Sequence, residues 1–317
     1  MTDKINQKLN HLIEFTIAHP MYSHGLQTLR RAAEIRLGGR PDSGAAIFGK
    51  SGTGKTHLCT DFIRDFVVPH EEIEPKGRSR IMPVIYCRVP SESTVNSVMV
   101  KILATMGVFL NRPTLGTLEY QLYQNLKNCK TQLLILDEFP HILKSMTENI
   151  IRAAGDWVKN LSDDFRGLIL IAGEPFSEKY IDSRQAMGDR FPFRVYFEPF
   201  SLTTEENAQD FERLIRSFAM EISSSMGFND MPTLTSEKEL YALYALTSGN
   251  LRQLRNILHG ACEVALKRGD KILHINDFSY ISQTEKFSCR LTEHDPFSLS
   301  AKELRKIILE KTKAKAN

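Results

Sequence analysis

The sequence predicts an α/β fold, a parallel sheet with helices on both faces, followed by a smaller all-helical region. Three observations predict it. Short apolar runs alternate with segments of helical periodicity up to about residue 200, a pattern that calls for strands joined by crossover helices. A glycine-rich loop lies between the first apolar run and the first long helix behind it. Past residue 200, helix-capping signals recur and strand-like runs stop.

Residues 1–40 read as largely helical, with Ile5, Leu9, Leu12 and Ile13 on one face, Leu26, Leu29, Ala33 and Leu37 on another, and His19-Pro20 between them. Ala45 to Phe48 is a buried strand ending in Gly49, and a helix runs from Lys55 to about Val67. Pro83 to Val89 is a second strand. A helix follows over Ser91 to Met106, capped by Ser91, with Val95, Val98, Ile102 and Leu103 on one face. Thr117 to Asn128 is another helix, Leu133 to Leu136 a buried strand, and Ile150 to Leu161 a helix carrying the sole tryptophan, Trp157. Leu168 to Ala172 and Val195 to Phe197 complete the strands. Thr203-x-x-Glu206 and Ser236-x-x-Glu239 open helices as capping boxes. Further helices are expected at Leu251 to Lys267 and from Asn276, and the lysine-rich end from Lys302 to Lys315 reads as amphipathic at best, with the composition of a free chain.

Composition narrows the class. The chain has 317 residues, with 42% hydrophobic and 25% charged, enough for a full core without metal or disulfide staples. A net charge of +3 argues neither for nor against nucleic acid, so local patches must carry that question. The five cysteines, Cys59, Cys87, Cys129, Cys262 and Cys289, form no C-x-x-C pair, which fits a reducing compartment. With no signal-like start and no run near the roughly 18 apolar residues of a membrane span, the expectation is a soluble, cytoplasmic protein with no membrane partner.

Gly49-Lys50-Ser51-Gly52-Thr53-Gly54-Lys55-Thr56 fits G-x-x-x-x-G-K-T. The glycines let the backbone curl so that several N–H groups face one anion, and the following helix adds the positive end of its dipole. Lys55 is placed to reach the β- and γ-phosphates, Thr56 to ligate Mg²⁺, and His57 closes the nucleotide-binding set. Leu133-Leu134-Ile135-Leu136-Asp137-Glu138 is the matching buried strand ending in acids. There Asp137 would hold the metal, directly or through water, and Glu138 would polarise the attacking water. ATP with Mg²⁺ is therefore the expected ligand. Charge on the leaving phosphate needs further cations. Arg190, with Arg194 nearby, and Arg252 in Ser248-Gly249-Asn250-Leu251-Arg252 are the candidates. A solvated surface pair is the ordinary fate of either, and composition does not choose between them.

Together these segments resemble the AAA+ ATPases, and more narrowly the TniB/TnsC-like transposition regulators, akin to MuB and the initiator-type AAA+ proteins. The resemblance covers roughly residues 25 to 285. Beyond the two Walker segments it includes Ile85 to Pro90, Trp157-Val158-Lys159-Asn160-Leu161, Ile171-Ala172-Gly173-Glu174-Pro175, Asp189-Arg190-Phe191 and the Gly249-Asn250-Leu251-Arg252 turn. It implies residues 1–25 as an N-terminal helical extension, 26–200 as the α/β nucleotide-binding domain, 201–285 as a helical lid and 286–317 as a basic tail. It also implies that Arg190 is an arginine finger entering a neighbour's site, with Arg194 as the fallback, and that Arg252 is the sensor-2 arginine. The sensor-1 position, usually Asn, Thr or Ser, holds Glu174. An acid there repels phosphate unless it points away or acts through Mg²⁺, which implies slow or partner-stimulated hydrolysis.

The resemblance further implies a protein that oligomerises with ATP on double-stranded DNA as a ring or helical filament, recruits a transposase and a TniQ-like targeting protein, and disassembles on hydrolysis. In initiator-type relatives the insertion after the second strand contacts DNA. Lys101, the sole cation of the 91–106 helix, is the expected contact, with Arg78, Arg80 and the tail from Lys302 competing. Two other readings use the same core. One is a helicase loader or insertion-sequence helper ATPase. The other is a signalling NTPase switch that never meets nucleic acid; a guanine-specific switch is disfavoured because no Asn-Lys-x-Asp segment exists.

Overall fold

The computed structural model describes residues 2–74, 77–91, 93–139, 148–183, 185–269 and 271–316. They fall into two compact units, Met21–Phe197, and Met1–Pro20 with Glu198–Asn317.

The first unit holds α2 (Pro20–Leu37), β1 (Ala45–Gly49), α3 (Lys55–Ile63), β2 (His70–Glu74), β3 (Gly77–Ile81), β4 (Val84–Arg88), α4 (Val95–Thr105), α5 (Leu115–Asn128), β5 (Leu133–Asp137), α6 (Glu148–Asp164), β6 (Leu168–Gly173), α7 (Phe176–Asp182), α8 (Gln185–Gly188) and β7 (Phe193–Phe197). Five strands form one parallel sheet in the order β4-β5-β6-β1-β7. Its central strands are apolar throughout because both faces are covered. Successive side chains go to opposite sides. Ala46, Phe48, Leu134, Leu136, Ile169 and Ile171 join the core with Val98, Ile102, Leu122 and Trp157. Ala45, Ile47, Leu133, Ile135, Leu168 and Leu170 join a second core with Leu29, Leu58 and Phe62. All the parallel strands therefore point the same way, and their carboxyl ends make one rim.

Several local expectations shift. The helix after the glycine loop stops at Ile63, and an antiparallel hairpin, β2–β3, fills the space before β4. The helix expected from Ser91 begins at Val95, because Thr94 accepts the Ser97 N–H while Ser97 Oγ accepts the Thr94 N–H at 2.9 Å. That reciprocal pair is a capping box, and Ser91 has no such position. Likewise Thr204, not Thr203, caps the helix Glu205–Ser225 of the other unit by accepting from Asn207 N.

The second unit is all-helical, made of α1 (Thr2–Glu14), α9 (Glu205–Ser225), α10 (Glu237–Thr247), α11 (Leu251–Arg268), α12 (Ile275–Thr284), a short 3-10 turn Pro296–Ser298 and α13 (Ala301–Ala316). Phe211, Phe218, Leu243, Leu254, Leu258 and Phe278 form its centre. The expected N-terminal extension is part of this unit. Leu9 and Leu12 are buried in its core, and the Arg255 guanidinium donates to the carbonyls of Ile13, in the last turn of α1, and Phe15, just past it. The expected free tail is α13, held because Leu304 and Ile308, four residues apart, are buried in the same core. The Gly249 turn admits no side chain: φ is +71° and a Cβ would stand 1.9 Å from the Phe200 carbonyl oxygen. Asn250 then caps α11 by accepting from Gln253 N at 3.2 Å.

Candidate nucleotide site

The site is built at the carboxyl rim of the sheet. Gly49 ends β1 where a Cβ would lie 2.5 Å from the Phe197 carbonyl oxygen, so only glycine lets the loop turn away there. Gly52 and Gly54 take φ values of +81° and +110°, and Gly54 is the N-cap of α3 without any side-chain cap bond. The first N–H groups of α3 therefore remain available to an anion, at the positive end of the helix dipole. Lys55 is buried, and its ammonium donates to Gly49 O at 2.6 Å and Lys50 O at 3.0 Å. Thr53 Oγ1 donates to Lys50 O at 2.8 Å and fixes the loop from inside. His57 sits in the first turn of α3, its ring 6.4 Å from that of Tyr22.

The strand-end acids meet this loop. Thr56 Oγ1 donates to Asp137 Oδ2 at 3.0 Å. Asp137 is buried and takes two more donors, Tyr86 OH on Oδ2 at 2.5 Å and its neighbour's backbone N–H, Glu138 N, on Oδ1 at 2.9 Å. A carboxylate offers about four acceptor directions, so these three donors leave one for a metal ion. Burial first, then the hydrogen bond to Asp137, pushes the Tyr86 phenol above its ordinary value, so it stays a donor. Glu138 adopts φ +59°, a left-handed conformation that costs roughly 1–3 kcal/mol in a non-glycine residue. Its Oε1 lies 3.7 Å from the Arg88 guanidinium. The backbone bond Val89 N to Asp137 O at 2.8 Å locks the ends of β4 and β5 together.

This donor set fits Mg²⁺. The ion takes hard oxygens, keeps several waters and uses one or two carboxylates beside substrate phosphates. Thr56 and Asp137 supply one hydroxyl and one carboxylate, and no cluster of three or more metal-ligating side chains exists among the described residues.

The structure brings together Gly49 through His57, Asp137 and Glu138. Glu174 follows β6, which lies between β5 and β1, and the pairing of Phe48 with Gly173 sets Glu174 level with Gly49. The other candidates stand elsewhere. Arg190 O accepts from Gly44 N at 2.7 Å, at the amino end of β1, and its guanidinium donates to Asp163 Oδ1 at 2.7 Å and 3.1 Å. Arg194 is held by Asp182 and Glu178, and the bond to Asp182 above all raises its guanidinium. Arg252 is exposed in the first turn of α11, in the helical unit. Lys101 is an exposed residue whose ammonium donates to Arg88 O at 2.6 Å. Arg78 pairs with Glu71 across the hairpin at 3.5 Å, where Arg80 is also opposite Glu71. Sequence reasoning missed Tyr86 and Arg88. Their one signal is polar residues at alternate positions of an otherwise apolar strand, and it acquires meaning only from the register that sets Arg88 beside Asp137.

A glycine loop capping α3, a metal-type Thr–Asp pair and an adjoining acid, on this strand order with a separate helical unit, define a P-loop nucleotide-binding fold of the AAA+ type. The model of the family described as Bacterial TniB protein matches residues 10–198, more than half of the chain, and the chain belongs to that family. No curated protein matches it. Among solved structures, the Aeropyrum pernix Orc1 protein in complex with DNA is similar at 15% identity and TM-score 0.61, over 94% of this chain and 84% of that one. Cdc6p from Pyrobaculum aerophilum is similar at 15% identity and TM-score 0.60, over 84% and 68%. The Drosophila origin recognition complex (ORC) bound to DNA is similar at 14% identity and TM-score 0.51, over 87% and 64%. Such identities speak for the fold. Among the described residues no helix is long and apolar enough to cross a membrane.

Proposed function

We propose that this chain is an ATP-hydrolysing, DNA-associated regulator of transposition. It would assemble on double-stranded DNA in its ATP form and recruit a transposase and a TniQ-like targeting protein. The observation that carries the reading is the Thr56–Asp137 pair at 3.0 Å beside the Lys55 loop, in a chain of the TniB family. Support for the DNA part comes from the two similar structures that are DNA complexes.

The same reading gives each residue a role. Backbone N–H groups of the loop and Lys55 bind and orient the phosphates. Thr56 and Asp137 would hold Mg²⁺, which when bound neutralises charge on the phosphate oxygens. Glu138 accepts the proton of the attacking water, its carboxylate carried on a left-handed backbone and restrained by Arg88. Arg190 serves the site of a neighbouring copy, so the working form is a ring or helical filament. Arg252 couples the helical lid to nucleotide state, and Lys101 contributes a phosphate contact on the core. With Glu174 rather than an amide or hydroxyl after β6, turnover is slow and rises with partners.

The test combines nucleotide binding, phosphate release and ATP-dependent duplex binding for wild type, Lys55→Ala and Glu138→Gln. Lys55→Ala is expected to lose nucleotide and duplex binding together. Glu138→Gln is expected to bind both and scarcely turn over. Wild-type turnover by Glu138→Gln removes the base assignment. A wild type that ignores duplex DNA at low salt with ATP present removes the transposition reading and favours a switch without nucleic acid.

A further inference from the structure

The helix α13 concentrates the positive charge of the chain. It carries Lys302, Arg305, Lys306, Lys311, Lys313 and Lys315 against Glu303 and Glu310, a balance of +4 in a chain whose total is +3, so all other residues together are at −1. The cations are also sorted by face. At 3.6 residues per turn, positions 302, 305, 306, 309 and 313 form one row, opposite 304 and 308. Leu304 and Ile308 are buried, while Lys302, Arg305 and Lys306 are exposed. The acids lie off this row. Glu303 is engaged at the start of the helix, where its Oε2 accepts from Ser300 N at 2.9 Å and Ser300 Oγ at 2.6 Å. Glu310 approaches Lys306 only to 4.0 Å, an exposed pair of little energetic weight.

We infer that the outward row of α13, Lys302, Arg305 and Lys306, is a binding surface for the phosphate backbone of duplex nucleic acid and the main electrostatic contact of the helical unit. The inference rests on the duplex-binding reading above and assigns its place. An anionic membrane fits this face poorly. Amphipathic membrane helices insert an apolar face, and here the apolar residues Leu304 and Ile308 are spent inside the protein, leaving Leu309 in the row. The row has no planar pocket or side-chain pattern for reading bases, so it recognises charge and spacing rather than sequence. Because the helix is anchored through Leu304 and Ile308, its cations are already arrayed, and little ordering entropy opposes binding. Repetition of the row along an assembly multiplies a modest contact.

The experiment titrates salt against binding of a labelled duplex by full-length protein with a non-hydrolysable ATP analogue. It compares wild type, Lys302→Gln/Arg305→Gln/Lys306→Gln, Arg305→Gln alone, the charge-keeping Lys302→Arg/Lys306→Arg, and Lys101→Ala. Each lost phosphate contact lowers the slope of log affinity against log salt by about 0.9. The triple variant is expected to lose about 2.7 from the slope and about a hundredfold or more in affinity near 0.1 M salt. Arg305→Gln is expected to lose about 0.9, and the Lys-to-Arg pair nothing. Nucleotide binding stays at the wild-type level in all of them. Wild-type affinity and slope in the triple variant overturn the assignment, and if Lys101→Ala fails in the same titration the contact belongs to the core instead. Equal losses in the charge-keeping pair also overturn it, since shape rather than charge would then matter. Wild type that binds no duplex at low salt overturns this inference together with the reading beneath it, and an acidic protein partner becomes the occupant to seek.

Discussion

Replacing Arg88 by alanine tests how Glu138 is restrained. The Arg88 guanidinium lies 3.7 Å from Glu138 Oε1, with the arginine side chain 71% and the glutamate 29% exposed. Two unit charges near 4 Å attract by about 1 kcal/mol in water and about 4 kcal/mol at an effective dielectric of 20. The exposure of Arg88 puts this pair at the watery end, and side-chain ordering subtracts further, leaving roughly 0.2–1 kcal/mol. The pair draws the Glu138 carboxylate toward Arg88 and away from the water it must meet, so it holds back proton transfer by that amount. Arg88→Ala is then expected to raise basal ATP turnover by a factor of about 1.4 to 5, with the KM for ATP unchanged. Arg88→Lys should change it little. The assay is steady-state phosphate release across ATP concentrations, with and without duplex. A fall in kcat, or a rise in KM for ATP, refutes the argument and makes Arg88 a phosphate-binding cation.

Tyr86→Phe removes one of three donors to Asp137. Because the other two remain, the stability loss is expected near 1 kcal/mol, while the Mg²⁺ concentration for half-maximal nucleotide binding rises severalfold; an unchanged Mg²⁺ dependence excludes a positioning role. Mixing Arg190→Ala with Lys55→Ala protein should restore part of the activity each lacks alone, and no recovery in a strictly monomeric ATP-bound protein rules out action between subunits. His19 offers a pH test: burial lowers it from 6.5 to about 4, with Asp210 opposing. Between those values the unfolded chain binds more protons, so the stabilisation is present above pH 6.5 and is lost as pH falls toward 4. The loss is roughly 3 kcal/mol in all. Denaturant titrations at pH 7 and pH 4.5 should show it in wild type and not in His19→Gln, and identical pH slopes exclude His19 as the source.

The parts of the site written in a few adjacent residues were legible from sequence. The Gly49–Thr56 loop and the Leu133–Glu138 strand each carry their own constraint, glycines where φ is positive and an apolar run ending in acids, and the fold adds only their meeting. The hairpin β2–β3 was not legible, because His70, Glu71, Glu72 and Glu74 leave no apolar face and Ile73 is 88% exposed. A two-stranded ribbon without a buried face has no period-two signal to read. The sequence puts the cap of α4 three residues early and that of α9 one residue early, because serine and threonine stand in clusters and only the returning bond from Ser97 or Asn207 selects the cap. The positions of α1 and α13 depend on burial against helices distant in sequence, α1 against α11, about 250 residues on, and α13 against α10, about 60 residues back. Amphipathic spacing shows that such a helix has a face to bury and leaves the partner unnamed.

The position of Arg190 carries a consequence for assembly. Its carbonyl is bonded to Gly44 N, one residue before β1, while the phosphate loop begins at Gly49 at the other end of that strand. Five residues of strand span about 16 Å at about 3.3 Å per residue, longer than an arginine side chain can reach. β1 is buried over its whole length, paired with β7 from Ala45 to Gly49 and with β6 from Ala45 to Phe48, so it cannot shorten to bring the two together. Within one subunit, then, Arg190 and the Lys55 loop are held apart by the most rigid part of the fold. If Arg190 acts on phosphate at all, that phosphate belongs to another copy, and its present partner Asp163, 47% exposed, must release it as the copies meet. Exchange of a partly exposed ion pair for a phosphate contact costs little. On the proposed function, subunit contact rather than nucleotide binding alone would then complete the site, and assembly on a shared template would control hydrolysis. Asp163→Asn should accordingly free Arg190 and lower the protein concentration at which turnover becomes cooperative. The measurement is ATPase rate against protein concentration, and an unchanged or raised threshold would mean that Asp163 positions Arg190 for its neighbour instead of restraining it.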